Sequence, residues 1–126
     1  GCVWNLPTCT VYVRPERYTY QFMESHDYFT VSVLPADRKK DMAFCGTKSG
    51  RDVDKVKECG LTLRYGTGDA PFFEEAEWVL VCRKLFVQDL EASCVKDERV
   101  FKSYTPAMGG WHRAYIGEVV EAYQKR

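Results

Sequence analysis

The segment Val11-Tyr-Val-Arg-Pro-Glu-Arg-Tyr-Thr-Tyr-Gln-Phe-Met23 begins as a strand, passes through a cationic turn and opens a helix. Pro15 ends the strand, because proline lacks the backbone donor that a sheet ladder needs. Arg14, Arg17 and Thr19 fall within six residues around the predicted helix start. Arginine offers a planar fork to phosphate oxygens, and a helix N-terminus adds unpaired amides and partial positive charge. The turn therefore predicts a phosphate site, although the same pattern also fits an exposed turn with ordinary surface arginines.

The rest of the chain predicts strands separated by inserted helices, in the order β-α-β-α-α-β-β-(α)-β. Strands are predicted at 8–13, 27–34, 61–65, 76–88 and 113–123. Helices are predicted at 17–25, 35–45 and 53–59, with a short one within 97–104. Gly60 is predicted to close the third helix, and Gly117 predicts a bulge or a close backbone approach in the last strand. This order predicts a mainly β (α+β) fold, a small barrel rather than a doubly wound sheet.

Size and composition narrow the class of protein. The chain has 126 residues, with 18 basic and 18 acidic side chains. This length predicts one domain, and the balanced charge disfavours a nucleic-acid partner. No apolar run approaches the roughly 20 residues of a membrane span, so no membrane partner is expected. Six cysteines without a CxxC pair, beside two histidines, predict free thiols in a reducing, cytoplasmic setting and no metal site.

A glycine-punctuated loop, Gly46-Thr-Lys-Ser-Gly-Arg-Asp-Val-Asp-Lys55, is the second candidate binding segment. Its glycines allow close backbone approach, and Lys48, Ser49 and Arg51 are donors for an anion or a ring carbonyl. It matches neither the P-loop spacing nor GxGxxG. On the local pattern alone, the favoured interpretation is a solvated loop whose acidic and basic side chains pair with each other.

His112, in Gly109-Gly-Trp-His-Arg113, is the third candidate. It can hydrogen-bond a cofactor or substrate or donate a proton near neutral pH, whereas the alternative is a surface or dimer-interface histidine. His26 is interpreted as a helix-end residue. Because the sequence has no GxSxG or HExxH motif, an enzyme built on it would leave the chemistry to a cofactor.

Five segments in order resemble the flavin reductase-like, FMN-binding split-barrel family, most closely its flavoredoxin-like branch. They span 4–23, 27–33, 44–55, 80–85 and 112–119 and so cover nearly the whole chain. The resemblance implies a split β-barrel that forms a homodimer and holds FMN near the subunit interface. In this family an Arg-x-Thr turn before the first helix holds the flavin phosphate, which corresponds here to Arg17 and Thr19, with Arg14 nearby.

The resemblance also implies the remaining site residues. His112 becomes the candidate catalytic residue, beside the flavin or a nicotinamide. The cofactor-binding set is Arg14, Arg17, Tyr18, Thr19, Lys48, Ser49, Gly50, Arg51 and Asp52. Family members carry a further N-terminal segment, with a Thr-(Met/Ala)-Ser-Trp-like stretch that lines the flavin ring. Residues 1–126 contain no match to it, so we expect a single domain that is incomplete at its N-terminus.

The function that the resemblance implies is an FMN-dependent oxidoreductase. Electrons would pass from NADH or NADPH through FMN to a small-molecule or protein acceptor. One alternative is a non-catalytic, flavoredoxin-like electron-transfer protein that binds FMN. Another is a barrel domain that has lost its flavin.

Overall fold

The computed structural model describes every residue from Gly1 to Arg126. Seven strands form two antiparallel sheets. The strands are β1 (Cys2–Val3), β2 (Leu6–Val13), β3 (Tyr28–Val33), β4 (Leu63–Tyr65), β5 (Pro71–Phe73), β6 (Trp78–Asp89) and β7 (Arg113–Gln124). The larger sheet has the order β1-β2-β7-β6-β3, and β4 pairs with β5 alone.

The helices lie between strands, as the sequence predicts. They are α1 (Tyr18–Ser25), α2 (Lys39–Thr47) and α3 (Lys55–Glu58). Short 3₁₀ turns cover Ala36–Arg38, Thr67–Asp69, Ala92–Cys94, Glu98–Ser103 and Pro106–Met108. Gly60 has a φ of 62° just beyond α3, and its amide donates to the Lys57 carbonyl while the Leu61 amide donates to that of Val56. This Schellman arrangement confirms the predicted glycine cap.

Several boundaries differ from those predicted. The segment after Pro35 begins as a 3₁₀ turn before α2, and the segment near Asp97 is 3₁₀ throughout. Helix α3 begins late because the Asp54 carboxylate caps it, accepting from the Lys57 amide at 3.2 Å. The two-residue β1 and the strand β5 are absent from the prediction. Pro71 suggested a turn there, but proline is tolerated as the first residue of an edge strand.

Gly117 confirms the close approach that its position predicts. It lies beside a register shift between β6 and β7. A Cβ atom at Gly117 would lie 2.7 Å from Phe29 Cε1 and 2.8 Å from Cys82 Cβ. Only glycine therefore lets Phe29 of β3 pack across the sheet against β7.

Two apolar clusters form the core. One joins the start of β6 to the β4–β5 ribbon and contains Leu34, Leu61, Ala70, Ala76, Val79 and Val81. The other places α1 on the sheet and contains Met23, Phe29, Cys82 and Tyr115. Lys84 Nζ also donates to the Met23 carbonyl at 2.5 Å, and the Tyr115 hydroxyl donates to Glu24 Oε1 at 2.6 Å. Because the C-terminal half of α1 is anchored in this way, its N-terminus has a defined position.

No helix has the length and the apolar character needed to cross a bilayer. All six cysteines are free thiols, and Cys82 is fully buried whereas Cys9 is only half-buried. No group of three or more histidine, cysteine or acidic side chains is arranged to hold a metal ion.

Candidate functional site

A groove of about 720 Å³ lies between the N-terminus of α1 and the segment that joins α2 to α3. It brings together seven of the ten residues that the sequence singles out. They are Arg17, Tyr18, Thr19, Lys48, Ser49, Gly50 and Arg51. Lys55 and Glu16 also line the groove, so four basic side chains face one acidic side chain. The groove, which we call the cationic groove, therefore favours an anionic ligand.

The start of α1 forms one wall of the cationic groove. Arg17 is the N-cap residue, with extended backbone (φ −72°, ψ 143°), and no side chain caps the helix. The backbone amides of Tyr18 and Thr19 donate to no protein acceptor. Thr19 lies inside the first turn, so its hydroxyl does not cap the helix, and its donation to a phosphate stays a prediction. Uncapped amides at a helix start attract anions.

The glycine loop forms the opposite wall and packs directly on α1. A Cβ atom at Gly50 would lie 2.7 Å from Tyr18 Cδ2, so a glycine is needed for this contact. The Arg51 guanidinium lies over the Tyr18 ring, 5.3 Å from its centroid, and Nη1 donates to the Glu16 carbonyl at 3.0 Å. The Arg51 amide donates to Ser49 Oγ at 3.1 Å. These local contacts hold the loop against the start of α1.

Two cationic side chains of the groove are not used by the fold. Arg17 and Lys48 take part in no ion pair and no side-chain hydrogen bond. By contrast, Lys55 Nζ donates to the Cys45 carbonyl at 2.6 Å, and Arg51 is partly engaged. Arg17 and Lys48 are therefore the side chains most available to a ligand. Neither the role of Lys55 nor that of Glu16 is apparent from the sequence pattern.

Arg14 lies outside the cationic groove. Its guanidinium donates to the carbonyls of Gly110 (2.9 Å) and Ser103 (2.5 Å) and sits 4.8 Å from the centroid of the Tyr104 ring. It lines a smaller neighbouring cleft of about 330 Å³. These contacts tie β2 to the loop before β7, and so the structure assigns Arg14 to holding that loop.

Asp52 is also separated from the groove. It lines an adjacent shallow depression, and its backbone amide donates to the Ser49 carbonyl at 3.0 Å. The amide bond helps to fold the loop into a turn. The side chain makes no hydrogen bond or ion pair within the protein.

His112 lies beside the groove in an aromatic cluster. The Tyr104 hydroxyl hydrogen-bonds His112 Nδ1, and Tyr104 stacks on Trp111 with ring centroids 3.9 Å apart. Burial, followed by the charges of Arg14 and Arg17, lowers the pKa of His112, while Glu16 opposes this effect. No sequence signal identifies Tyr104 as the partner of His112.

Glu16 joins the cationic groove to the His112 cluster. Its Oε1 accepts from the Gly110 amide at 2.6 Å, and that bond is the main reason why the pKa of Glu16 is lowered. Cβ atoms at Gly109 or Gly110 would lie within 3.0 Å of this carboxylate. The predicted turn and the predicted His112 segment are thus neighbours in space, separated by one carboxylate.

A second cleft, of about 470 Å³ and largely apolar, lies between α1, β3 and the β4–β5 ribbon. Phe22 lines both this cleft and the cationic groove. The sequence gives no indication of it, because its lining comes from distant segments. Its lining includes His26, Tyr28, Phe29, Leu63 and Tyr65.

Residues 4–126 match the family described as flavin reductase like domain. The chain belongs to this flavin reductase-like family. A search of curated proteins gives no significant match. Among solved structures, the FMN-binding protein from Thermus thermophilus with bound p-hydroxybenzaldehyde is 22% identical, with a TM-score of 0.76 over 100% of this chain and 59% of that one. The predicted split-barrel fold is thereby confirmed, since the larger sheet is open and matches split-barrel relatives.

Two further solved structures show the same flavin reductase-like fold. Flavoredoxin of Desulfovibrio vulgaris (Miyazaki F) is 21% identical, with a TM-score of 0.75 over 99% of this chain and 57% of that one. The NADH:FAD oxidoreductase of Streptomyces globisporus C-1027, in complex with NAD and FAD fragments, is 20% identical, with a TM-score of 0.68 over 98% and 61%. The flavin reductase-like chain described here therefore spans 57–61% of the length of these relatives.

Proposed function

We propose that this flavin reductase-like chain binds FMN and acts as an FMN-dependent oxidoreductase, with the phosphate in the cationic groove. The observation that carries the proposal is the convergence of two free cationic side chains, Arg17 and Lys48, with the uncapped start of α1. Charge-assisted hydrogen bonds and helix-terminal amides are the usual partners of a phosphate in proteins.

The residues of the groove fit a phosphate monoester. The groove has more cationic than anionic side chains, and the Tyr18 and Thr19 amides are free. The close packing of Gly50 on Tyr18 keeps the loop near the helix start. Arg17, Lys48 and the two amides would hold the phosphate, while Thr19 and Ser49 offer hydroxyls.

A bound flavin would supply the redox chemistry, accepting electrons from NADH or NADPH and passing them to a small-molecule or protein acceptor. The chain itself contributes binding, orientation and proton placement. Arg17 and Lys48 would neutralise the negative charge of the ligand. The hydrogen bond from Arg51 to the Glu16 carbonyl orients the loop. His112, whose Nε2 has no protein partner, is the proposed donor on the substrate side.

The comparisons support this proposal through relatives whose descriptions name flavins. One relative is an FMN-binding protein, and another is an NADH:FAD oxidoreductase. Cytoplasmic location and a single domain over residues 1–126 are part of the same proposal. We also propose a homodimer, because the outer face of the larger sheet carries the exposed rings of Trp4, Tyr12 and Phe86.

A second candidate is a non-catalytic FMN-binding electron carrier. It is favoured by the likeness to flavoredoxins from Desulfovibrio vulgaris and from Methanosarcina acetivorans, the latter 25% identical with a TM-score of 0.73. Anaerobic stopped-flow mixing with NADH and NADPH separates the two candidates. Bleaching of the flavin absorbance supports the oxidoreductase, and no bleaching with either nucleotide supports the carrier.

The proposal is tested by titrating the protein with FMN and comparing Arg17→Ala with wild type. Loss of a charge-assisted hydrogen bond should weaken FMN binding by about 1.5–3 kcal/mol, or roughly 10- to 150-fold. Arg99→Ala is the matched control, because Arg99 is exposed and pairs only with Asp97. Equal FMN affinity for Arg17→Ala and wild type contradicts the phosphate assignment. A wild type that stays colourless after FMN soaking and desalting contradicts both flavin functions.

A further inference from the structure

The hydrogen bond between Tyr104 and His112 determines which nitrogen of the imidazole is free. The Tyr104 hydroxyl contacts Nδ1, and no protein group contacts Nε2. A neutral imidazole has one N–H donor and one bare nitrogen, and its single bonded partner selects between the two tautomers. The direction of this hydrogen bond therefore decides whether His112 presents a donor or an acceptor to a ligand.

The charges around this pair favour one direction. The guanidinium of Arg14 lies 4.8 Å from the centroid of the Tyr104 ring, and it is held there by the carbonyls of Gly110 and Ser103. A cation over a phenol ring draws charge from the hydroxyl oxygen, which strengthens the O–H as a donor and weakens the oxygen as an acceptor. Tyr104 is also held flat against Trp111, with an interplanar angle of 9°.

The surroundings of the imidazole disfavour its charged form. Burial, Arg14 and Arg17 all lower the pKa of His112, and Glu16 is the one group that raises it. Arg14, Glu16 and Arg17 approach from the turn between β2 and α1, and Tyr104 approaches from the position directly after the 3₁₀ turn Glu98–Ser103. A neutral ring accepts a hydrogen bond at Nδ1 readily, whereas an imidazolium cannot accept one at all.

We propose that Tyr104 is a positioning residue that donates to His112 Nδ1 and so fixes the proton on Nε2. His112 then presents an N–H donor, beside two arginines, to a ligand atom that accepts a hydrogen bond. Carbonyl oxygens and anionic oxygens are the acceptors that such surroundings select. The meaning for catalysis rests on the proposed function, since the acceptor would belong to a flavin or a substrate, but the tautomer itself does not depend on it.

The tautomer is measurable on the ligand-free chain by long-range ¹H–¹⁵N correlation of the histidine side chains in uniformly ¹⁵N-labelled protein. Only two histidines are present, so each is assigned from a single substitution of the other. Above the pKa of His112, the wild type should show a bare Nδ1 and a protonated Nε2. A wild-type spectrum with the proton on Nδ1 overturns the proposal without any variant, and it leaves FMN binding through the cationic groove untouched.

Tyr104→Phe removes the hydroxyl and keeps the stack on Trp111. We expect its His112 signals to shift toward a mixture of both tautomers, and the pKa of His112 to rise by roughly half a pH unit or more. His26 contacts Ser25 Oγ and the Phe22 carbonyl instead, so its signals are the internal control. Phe101→Leu is the matched control variant, because the Phe101 ring contacts Trp111 and this substitution leaves the Tyr104 hydroxyl in place. Unchanged His112 signals in a folded Tyr104→Phe protein overturn the proposal.

Discussion

Two arginines only three residues apart have different roles in this protein. Arg17 makes no ion pair and lines the cationic groove, whereas Arg14 donates to two backbone carbonyls in the loop before β7. The two carbonyls hold the Arg14 guanidinium at the loop and outside the cationic groove, and its removal leaves them without this donor. Both residues are arginines, so it is their contacts that assign one to ligand binding and the other to loop positioning.

Arg14→Ala and Arg17→Ala should therefore have opposite profiles. Arg14→Ala should lower the free energy of unfolding by about 1–3 kcal/mol, because two acceptors lose their donor. Arg17→Ala should change it by less than about 0.5 kcal/mol, as expected for a surface side chain without partners. Urea denaturation measures the stability, and FMN titration of the same samples measures the affinity. Loss of FMN binding in Arg14→Ala at unchanged stability contradicts this division of roles.

Among the elements, β7 and α2 show how a glycine can be required or merely tolerated. Gly117 in β7 faces Phe29 and Cys82 at distances that leave no room for a methyl group. Gly46 in α2 has no atom within 4 Å of its virtual Cβ position. In the loop after α2, Gly50 resembles Gly117, since its virtual Cβ meets the Tyr18 ring. Packing at β7 supports the fold, and packing at Gly50 shapes the cationic groove.

Gly117→Ala and Gly46→Ala form a matched pair that tests this difference. Gly117→Ala should destabilise the protein by about 1–3 kcal/mol, because the added methyl overpacks a closed core. Gly46→Ala should stabilise it by about 0.5–1 kcal/mol, because alanine loses less backbone entropy in a helix. Thermal and urea denaturation report both values. A neutral Gly117→Ala would mean that β3 and β7 are not packed as described.

For the whole molecule, stability is expected to be greatest between mildly acidic and mildly alkaline pH. The Tyr115 hydroxyl and Arg113 lower the pKa of Glu24, and Arg113 lowers that of Asp89. Their stabilising effect is complete above the ordinary value of 4.5 for Glu24 and is lost as the pH falls through the lowered values. Burial, first of all, raises the pKa of Cys82 from 9.0 to about 12 and that of Cys59 from 9.0 to about 11. That contribution is complete below pH 9.0 and is lost as the pH rises toward 12.

Chemical denaturation across pH checks both limits. The wild type should lose stability below about pH 4.5 and again above pH 9.0. Cys82→Ala should reduce the alkaline slope, because the buried thiol that resists ionisation is gone. Cys94→Ala should leave the slope unchanged, since Cys94 is exposed. An alkaline slope that is the same in Cys82→Ala and wild type would exclude Cys82 as its source.

The outer face of the larger sheet gives a prediction for assembly. Phe86 lies opposite Ile116, and Ile116 lies opposite Thr10, so the three side chains are on the same face. Tyr12 is two residues after Thr10 in β2 and therefore shares this face with Phe86. Trp4 contacts Phe86, with centroids 5.8 Å apart, and remains 51% exposed. Rings exposed together on a flat sheet face favour association.

Sedimentation velocity should thus show a dimer for the wild type. Phe86→Glu should shift it to a monomer, because a buried carboxylate would oppose the association. Val100→Glu is the control, since Val100 is similarly exposed but lies in the 3₁₀ segment Glu98–Ser103. A monomeric wild type at micromolar concentration contradicts the proposed homodimer.

Features that depend on neighbouring residues follow from the amino-acid pattern alone. The strand that ends near Pro15, the helix start after Arg17, the cap at Gly60 and the tight position of Gly117 follow from backbone rules acting over a few residues. The family resemblance joined these local features into a split barrel. It also selected ten site residues, seven of which converge on one groove.

Which of these residues are free to bind depends on contacts between distant parts of the chain. The Arg14 guanidinium donates to the carbonyls of Ser103 and Gly110, which are 89 and 96 residues away. The Glu16 carboxylate accepts from the Gly110 amide, which is 94 residues away. Tyr104 is eight positions from His112, yet nothing in the intervening sequence predicts that the two rings meet. Contacts over such separations depend on how β7 pairs with β2 and β6, and a one-dimensional pattern carries no measure of that pairing. The chemistry of a side chain is set by its residue type, whereas its availability to a ligand depends on everything that packs around it.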